Sequence, residues 1–261
     1  MNSTLNGQVA IVTGAGRGLG REIALKFARA GATVVLAART CEQLNEVGQV
    51  ITSEGGTALA VKTDVSDPAS VKHLVAETVA RFKRVDILVN NAASSNYISS
   101  LALSDDERWK KMFDVNVFGV YLCTKAVISH MIRAKSGRII NISSIAGQAG
   151  AAHASAYAAS KAAVLGFTKA IALEVARLGI TSNAICPWHV DTELMRDAMT
   201  ARGAMFGKST EDYLQQIIAH NPQRRLITAD EVAGLALFLS LPEARGINGQ
   251  ALNQCGGMVT S

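Results

Sequence analysis

The sequence predicts a doubly wound α/β fold built as one domain, and three observations predict it. Short apolar runs of β type alternate with longer helical patterns along the chain. Most of these runs are almost wholly apolar rather than alternating, as in parallel strands buried on both faces. No change of composition divides the 261 residues, so residues 1–261 read as a single domain.

Strands are expected at 9–12, 33–37, 58–62, 87–90, 138–143, 181–185 and 251–253. Helices are expected between them, at 18–30, 68–82, 105–131 and 155–178. Ser104-Asp105-Asp106-Glu107 has capping-box spacing ahead of the third helix. Gly179 supplies a C-terminal stop for the Ala-rich fourth. The stretch at 192–228 is too long for an ordinary connection and carries Met-rich amphipathic pieces. It reads as a lid, against the plainer reading of one more surface helix pair.

Composition narrows the function classes. Hydrophobic residues make up 49% of the chain and charged residues 18%, and mean hydropathy is +0.20, which excludes a disordered chain. Aromatics are only 5%, leaving the core to Ala, Val, Ile and Leu. Cys41, Cys123, Cys186 and Cys255 lie far apart without ligand spacing, so neither a disulfide framework nor a metal site is expected, and a reducing cytoplasm fits. No run approaches the ~18 apolar residues of a membrane helix. The first strand also begins too early to leave room for a signal peptide. The expectation is a cytoplasmic chain without a membrane partner. Net charge is +5, from 26 Lys and Arg against 21 Asp and Glu. These basic residues are spread out, so a small anionic ligand is expected rather than a nucleic acid.

Thr13-Gly14-Ala15-Gly16-Arg17-Gly18-Leu19-Gly20 follows the first strand and opens the first helix. Glycines are needed where a backbone turns tightly against a pyrophosphate, whose charge the helix N-terminus favours. The strand-to-helix context separates this string from an ordinary glycine-rich turn and makes the fold a Rossmann-type, dinucleotide-binding one. NAD-binding folds usually place an acid at the end of the second strand to hold the ribose 2′-hydroxyl. Here Val34-Val35-Leu36-Ala37-Ala38-Arg39-Thr40 offers no carboxylate before Glu42. Arg39 beside neutral Ala38, together with Arg17 in the turn, suits a 2′-phosphate, so NADP(H) is expected.

Ser143-Ser144 ends the fifth strand, and Tyr157 and Lys161 follow at the start of the Ala-rich helix. Positions i and i+4 share a helix face. A nearby ammonium favours the phenolate, lowering a phenol pKa of ~10 toward a useful range. Alone, such a pair is more often a helix-surface contact; after a strand-end Ser in a nucleotide-binding fold it points to a site.

Over essentially its whole length the chain resembles the short-chain dehydrogenase/reductase family. The resemblance rests on TGAGRGLG from Thr13, Asp64-Val65, Asn90-Asn91-Ala92, Asn116, and Ser144 with Tyr157-Ala-Ala-Ser-Lys161. Asn183, Pro187, Thr192 and Gly256-Gly257 match further on. The resemblance implies a seven-stranded parallel sheet and a homotetramer assembled partly through two long helices. It also implies a catalytic set of Asn116, Ser144, Tyr157 and Lys161. Tyr157 would protonate the carbonyl oxygen, and Ser144, with Ser143 its close rival, would hydrogen-bond the same oxygen. Lys161 would hold the nicotinamide ribose and lower the tyrosine pKa, and Asn116 would hold a water relaying protons to Lys161. Gly14, Arg17, Gly18, Leu19, Arg39, Asp64, Val65 and Asn91 would meet the adenosine and phosphates. Pro187, Val190 and Thr192 would lie against the nicotinamide.

Three positions depart from the family pattern. Ala93 replaces a glycine, Trp188 follows Pro187 where glycine is usual, and Gln254-Cys255 precedes the final glycines where many relatives have Asp. With Gln148 and His153, this tail is similar to ketoreductases of aromatic polyketide synthesis. Together with 3-oxoacyl carrier-protein reductases, they make a 3-oxoacyl thioester the first-choice substrate. Lys135 and Arg177 would then dock an acyl carrier protein beside the mouth of the site, although Leu178 stands where a second basic group is expected. The alternative substrate is a free cyclic or aryl ketone, enclosed by Trp188, His189 and a lid of Met195, Met199, Met205 and Phe206. A third reading is an NADP(H)-binding sensor or scaffold, which has no chemical need for the Ser-Tyr-Lys-Asn set.

Overall fold

The computed structural model describes residues 4–95 and 97–260. All seven expected strands are present, their ends moved by one or two residues: β1 (Val9–Thr13), β2 (Thr33–Ala38), β3 (Thr57–Lys62), β4 (Ile87–Asn90), β5 (Gly137–Ile142), β6 (Ile180–Pro187) and β7 (Ala251–Gln254). They form one sheet in the order β3-β2-β1-β4-β5-β6-β7, with every pairing parallel. Successive residues of one strand enter different cores. Ala10 and Val12 of β1 join one hydrophobic cluster, Val9 and Ile11 the other. That is why the strand sequences read as unbroken apolar runs.

Helices α1 (Gly18–Arg29), α2 (Cys41–Ser53) and α3 (Pro68–Phe82) connect the first strands. Asp67 caps α3 by accepting from Ala69 N and Ser70 N. Pro68 fills its first turn, where the missing N–H costs nothing. The helix expected at 105–131 is α4 (Asp106–Phe113), a π-helical turn at Asp114–Phe118, and α5 (Gly119–Ala134). Its cap is Asp105, whose carboxylate accepts from Arg108 N at 2.8 Å, not Ser104, so the expected capping box does not form. A charged acceptor one position later wins. The reciprocal box occurs at Thr228 and Glu231, ahead of the later helix at Ala229–Ser240. Asp106–Ala134 is also long and apolar enough to cross a membrane by length and composition, contrary to the sequence reading. Its Val120, Cys123, Val127 and Met131 are buried, and three of them pack into the core under the sheet.

After β5 come α6 (Ala146–Ala149) and the long α7 (Ser155–Val175). A 3-10 turn ends at Gly179, whose φ of +72° stops the helix as expected. The stretch at 192–228 holds α8 (Glu193–Met205) and α9 (Thr210–His220), and α10 (Ala229–Ser240) follows. A parallel bridge between Val190 and Ile227 clamps its base, and Met195, Met199 and Leu214 give it a small core of its own.

Candidate active site

The chain reverses direction across the sheet between β1 and β4, the switch point where a crevice opens at the strand C-termini. The glycine turn fills one side of it. Gly14 and Gly18 have φ of +66° and +54°, a region open to glycine at little cost. A Cβ at Gly14 would stand 2.8 Å from Asn91 Nδ2. Asn91 braces the turn, its amide donating to Thr13 O at 2.9 Å, while Thr13 Oγ1 accepts from Asn91 N and Ala92 N. So the Asn91 side chain braces the turn, a role the sequence reading did not foresee. Arg17 enters α1 extended, with no side-chain cap and no acid in the first turn. The N–H groups there face outward to an anion. Thr192 stands opposite, 3.6 Å from where a Gly18 Cβ would be, and Leu19 packs on the core beneath. A pyrophosphate fits this cradle.

The adenosine end is basic. Ala38 faces the turn, 3.8 Å from a Cβ placed on Gly16. Arg17 and Arg39 flank that contact and are exposed; neither forms an ion pair among the described residues. Asp64 accepts from Ser66 N and Ser66 Oγ at 2.9 and 2.6 Å. Those hydrogen bonds, with the more distant Arg39 charge, hold its carboxyl below the ordinary value. Val65 beside it is buried and packs on Gly119.

The reactive side chains meet at the C-terminal ends of β5 and β6. Ser143 Oγ donates to Lys161 O at 2.9 Å, turning into the helix. Ser144 Oγ stays at the strand end, accepting from Ala146 N at 3.1 Å and donating to Pro187 O at 3.5 Å, and it acts on the Tyr157 phenol to lower its pKa. Lys161 is 3% exposed and donates to Ile142 O at 2.7 Å. Its Nζ lies 5.7 Å from the centre of the Tyr157 ring. Burial pushes the lysine down to about 8.

Burial raises the Tyr157 pKa, against a hydrogen bond from Ser144 and the charge of Arg202, which lower it. Lys161 is not among the causes of the shift. Desolvation of the phenol outweighs the opposing contributions. Asn116 sits in the π-helical turn, a distortion that often marks a functional position. Its Nδ2 donates to Ser94 O and Ser160 Oγ, and its Oδ1 accepts from Ser94 N.

The model of the short-chain dehydrogenase family matches residues 8–203. The 3-oxoacyl-[acyl-carrier-protein] reductase of Synechocystis sp. is 39% identical over 259 residues, 98% of this chain and 99% of that protein. A crystal structure of a variant of actinorhodin polyketide ketoreductase with NADPH superposes with a TM-score of 0.93 at 38% identity, covering 96% of this chain and 97% of that one. NAD+-bound xylitol dehydrogenase also gives 0.93, at 29% identity, covering 97% and 99%. This chain is a short-chain dehydrogenase. It is an NAD(P)-dependent oxidoreductase of that family.

In this dehydrogenase the departures from the family pattern have physical explanations. Ala93 is exposed and is not among the residues with positive φ, so its methyl adds no strain. Trp188 is half-buried against the main core, its ring edge-on to His189 at 4.8 Å. It is in part a packing residue beneath the lid. Met195 and Met199 are buried in a small core of their own, because α9 offers them Leu214. Met205 and Phe206 remain half-exposed. Lys135 and Arg177 sit in the turns leading into β5 and β6, whereas Ser144 and Pro187 lie at the far ends. A six-residue strand spans about 20 Å, so these two cations are not beside the mouth in the same chain. Arg202 went unnoticed in the sequence. The available signal was a cation three residues beyond Met199 on the lid's apolar face.

Proposed function

We propose that the chain is an NADP(H)-dependent carbonyl reductase that converts a ketone to a secondary alcohol, with a 3-oxoacyl thioester as the first-choice substrate. The observation that carries this reading is the cluster of Ser144, Tyr157 and Lys161 facing the uncapped glycine turn. Arg17 and Arg39 at the adenosine end favour the phosphorylated cofactor, and the two ketoacyl-type relatives favour the substrate class. When bound, NADPH supplies the hydride. Tyr157, whose phenol burial pushes above its ordinary value, donates its proton to the carbonyl oxygen, and Ser144 hydrogen-bonds that oxygen. Lys161 holds the nicotinamide ribose, while Pro187, Val190 and Thr192 line the carboxamide side. Both Asn116 amide protons are spent, so a relay water there donates to its oxygen acceptors.

A homotetramer agrees with exposed Phe118 and Tyr121 near the start of α5 and Leu173 on α7. A cytoplasmic location agrees with four free cysteines. The test is carbonyl-dependent NADPH oxidation over thioesters and free cyclic ketones, with Tyr157→Phe alongside. Losing the transferable proton should slow turnover by about 10²–10⁴-fold with NADPH still bound. Near-wild-type turnover in that variant would remove Tyr157 from its role.

A further inference from the structure

We infer that Arg202 of the lid receives a carboxylate carried by the ketone itself, which makes the preferred substrates oxo acids. This rests on the carbonyl-reductase reading above and, within it, puts a ketone with a free carboxylate ahead of the thioester. Met195, Met199, Arg202 and Phe206 follow one another at helical spacing along a single face of α8. The Phe206 ring meets the His153 ring edge-on at 6.5 Å, and His153 lies four residues before Tyr157. The end of α8 therefore lies beside the segment that enters α7, with Phe206 also stacked on Tyr213 of α9 at 5.9 Å. The positive charge of Arg202 is felt at both Tyr157 and His189, behind burial as the main cause of each shift.

Arg202 is partly buried and has no ion pair among the described residues. Nearby acids are used elsewhere. Asp191 pairs with Arg196 at 2.9 Å, and Asp212 hydrogen-bonds Ser209 at the start of α9. His189 adds no second positive charge, because burial, with Arg202 as a further cause, pushes it down to about 4. A partly desolvated guanidinium without an internal anion is costly to keep and gains most from an incoming one. Its planar fork matches a carboxylate in two hydrogen bonds. An anion held there while the carbonyl lies against Tyr157 must belong to the same small molecule.

The experiment compares kcat/KM for NADPH oxidation with 4-oxopentanoate and its methyl ester, and with 3-oxobutanoyl thioesters of coenzyme A and of N-acetylcysteamine. Wild type should prefer the acid over the ester. Arg202→Gln should cut that preference by about 10–100-fold, mainly through the KM of the acid, while Arg202→Lys should fall between. Unchanged NADPH affinity in both variants shows that they are folded. Equal use of acid and ester by wild type, or equal losses for both in Arg202→Gln, would overturn the assignment. So would an Arg202 dependence confined to the coenzyme A thioester, since the partner would then be a phosphate. If wild type reduces none of these ketones, the carbonyl-reductase reading fails with it.

Discussion

Cofactor choice rests on a small patch that two substitutions can rewrite. The Ala38 methyl looks across at Gly16, and Arg17 and Arg39 flank the contact without competing ion pairs among the described residues. A ribose 2′-phosphate entering there carries roughly −1.5 to −2 charges if it titrates like other phosphomonoesters. A hydrogen bond to a charged group contributes about 1.5–3 kcal/mol, and about 1.4 kcal/mol is tenfold in affinity. Arg39 is exposed and so belongs at the lower part of that range. Arg39→Ala should weaken NADPH by about 10–100-fold and leave NADH almost unchanged. Ala38→Asp should go further, because its carboxylate would repel the phosphate and accept from an unmodified ribose. The assay is kcat/KM for both cofactors in wild type and the two variants, with Kd from fluorescence titration. A wild-type preference for NADH, or equal losses for both cofactors in Arg39→Ala, would show that these arginines do not read the phosphate.

Lys161→Met should abolish activity yet stabilise the fold. The buried lysine has a folded pKa near 8 against an ordinary 10.5, so the unfolded chain holds the extra proton between those values. Wild-type stability therefore rises with pH across that window, and below pH 8 the buried charge costs about 3 kcal/mol. Urea midpoints should favour the variant at pH 7 and converge near pH 10; a less stable variant at pH 7 would refute this. Gly147→Ala would bring a Cβ within 2.7 Å of the Lys161 backbone carbon, so α6 and α7 must part. We expect a loss of about 1–3 kcal/mol and a lower kcat, read by thermal melts and turnover. Gly166→Ala, with nothing within 4 Å, is the control and should be neutral or stabilising. Trp188→Ala should lower Tm, costing up to about 3 kcal/mol through lost packing. An unchanged Tm with a shift of kcat/KM toward bulky ketones would instead make the indole a wall of the pocket.

Much of this molecule was legible in its residues. Unbroken apolar runs announced strands covered on both faces, because each apolar residue of β1 or β2 has a core to enter whichever way it points. The glycine turn and the i, i+4 spacing of Tyr157 and Lys161 are local, so their geometry follows from backbone rules alone. Other features needed distant parts of the chain to meet. Ser143 and Ser144 are adjacent, and only the packing of α7 against β5 separates their roles. Asp105 rather than Ser104 caps α4, a competition decided by fine placement of two neighbouring acceptors. The Met side chains of the lid found a partner in α9 that no periodicity reveals. The direction of the Tyr157 shift depended on whether burial or the opposing contributions would dominate, and Arg202 gained meaning only when the end of α8 met His153. Sequence determines what each segment can do by itself. Desolvation and charge–charge effects depend on distances across the fold, and only the folded chain fixes those distances.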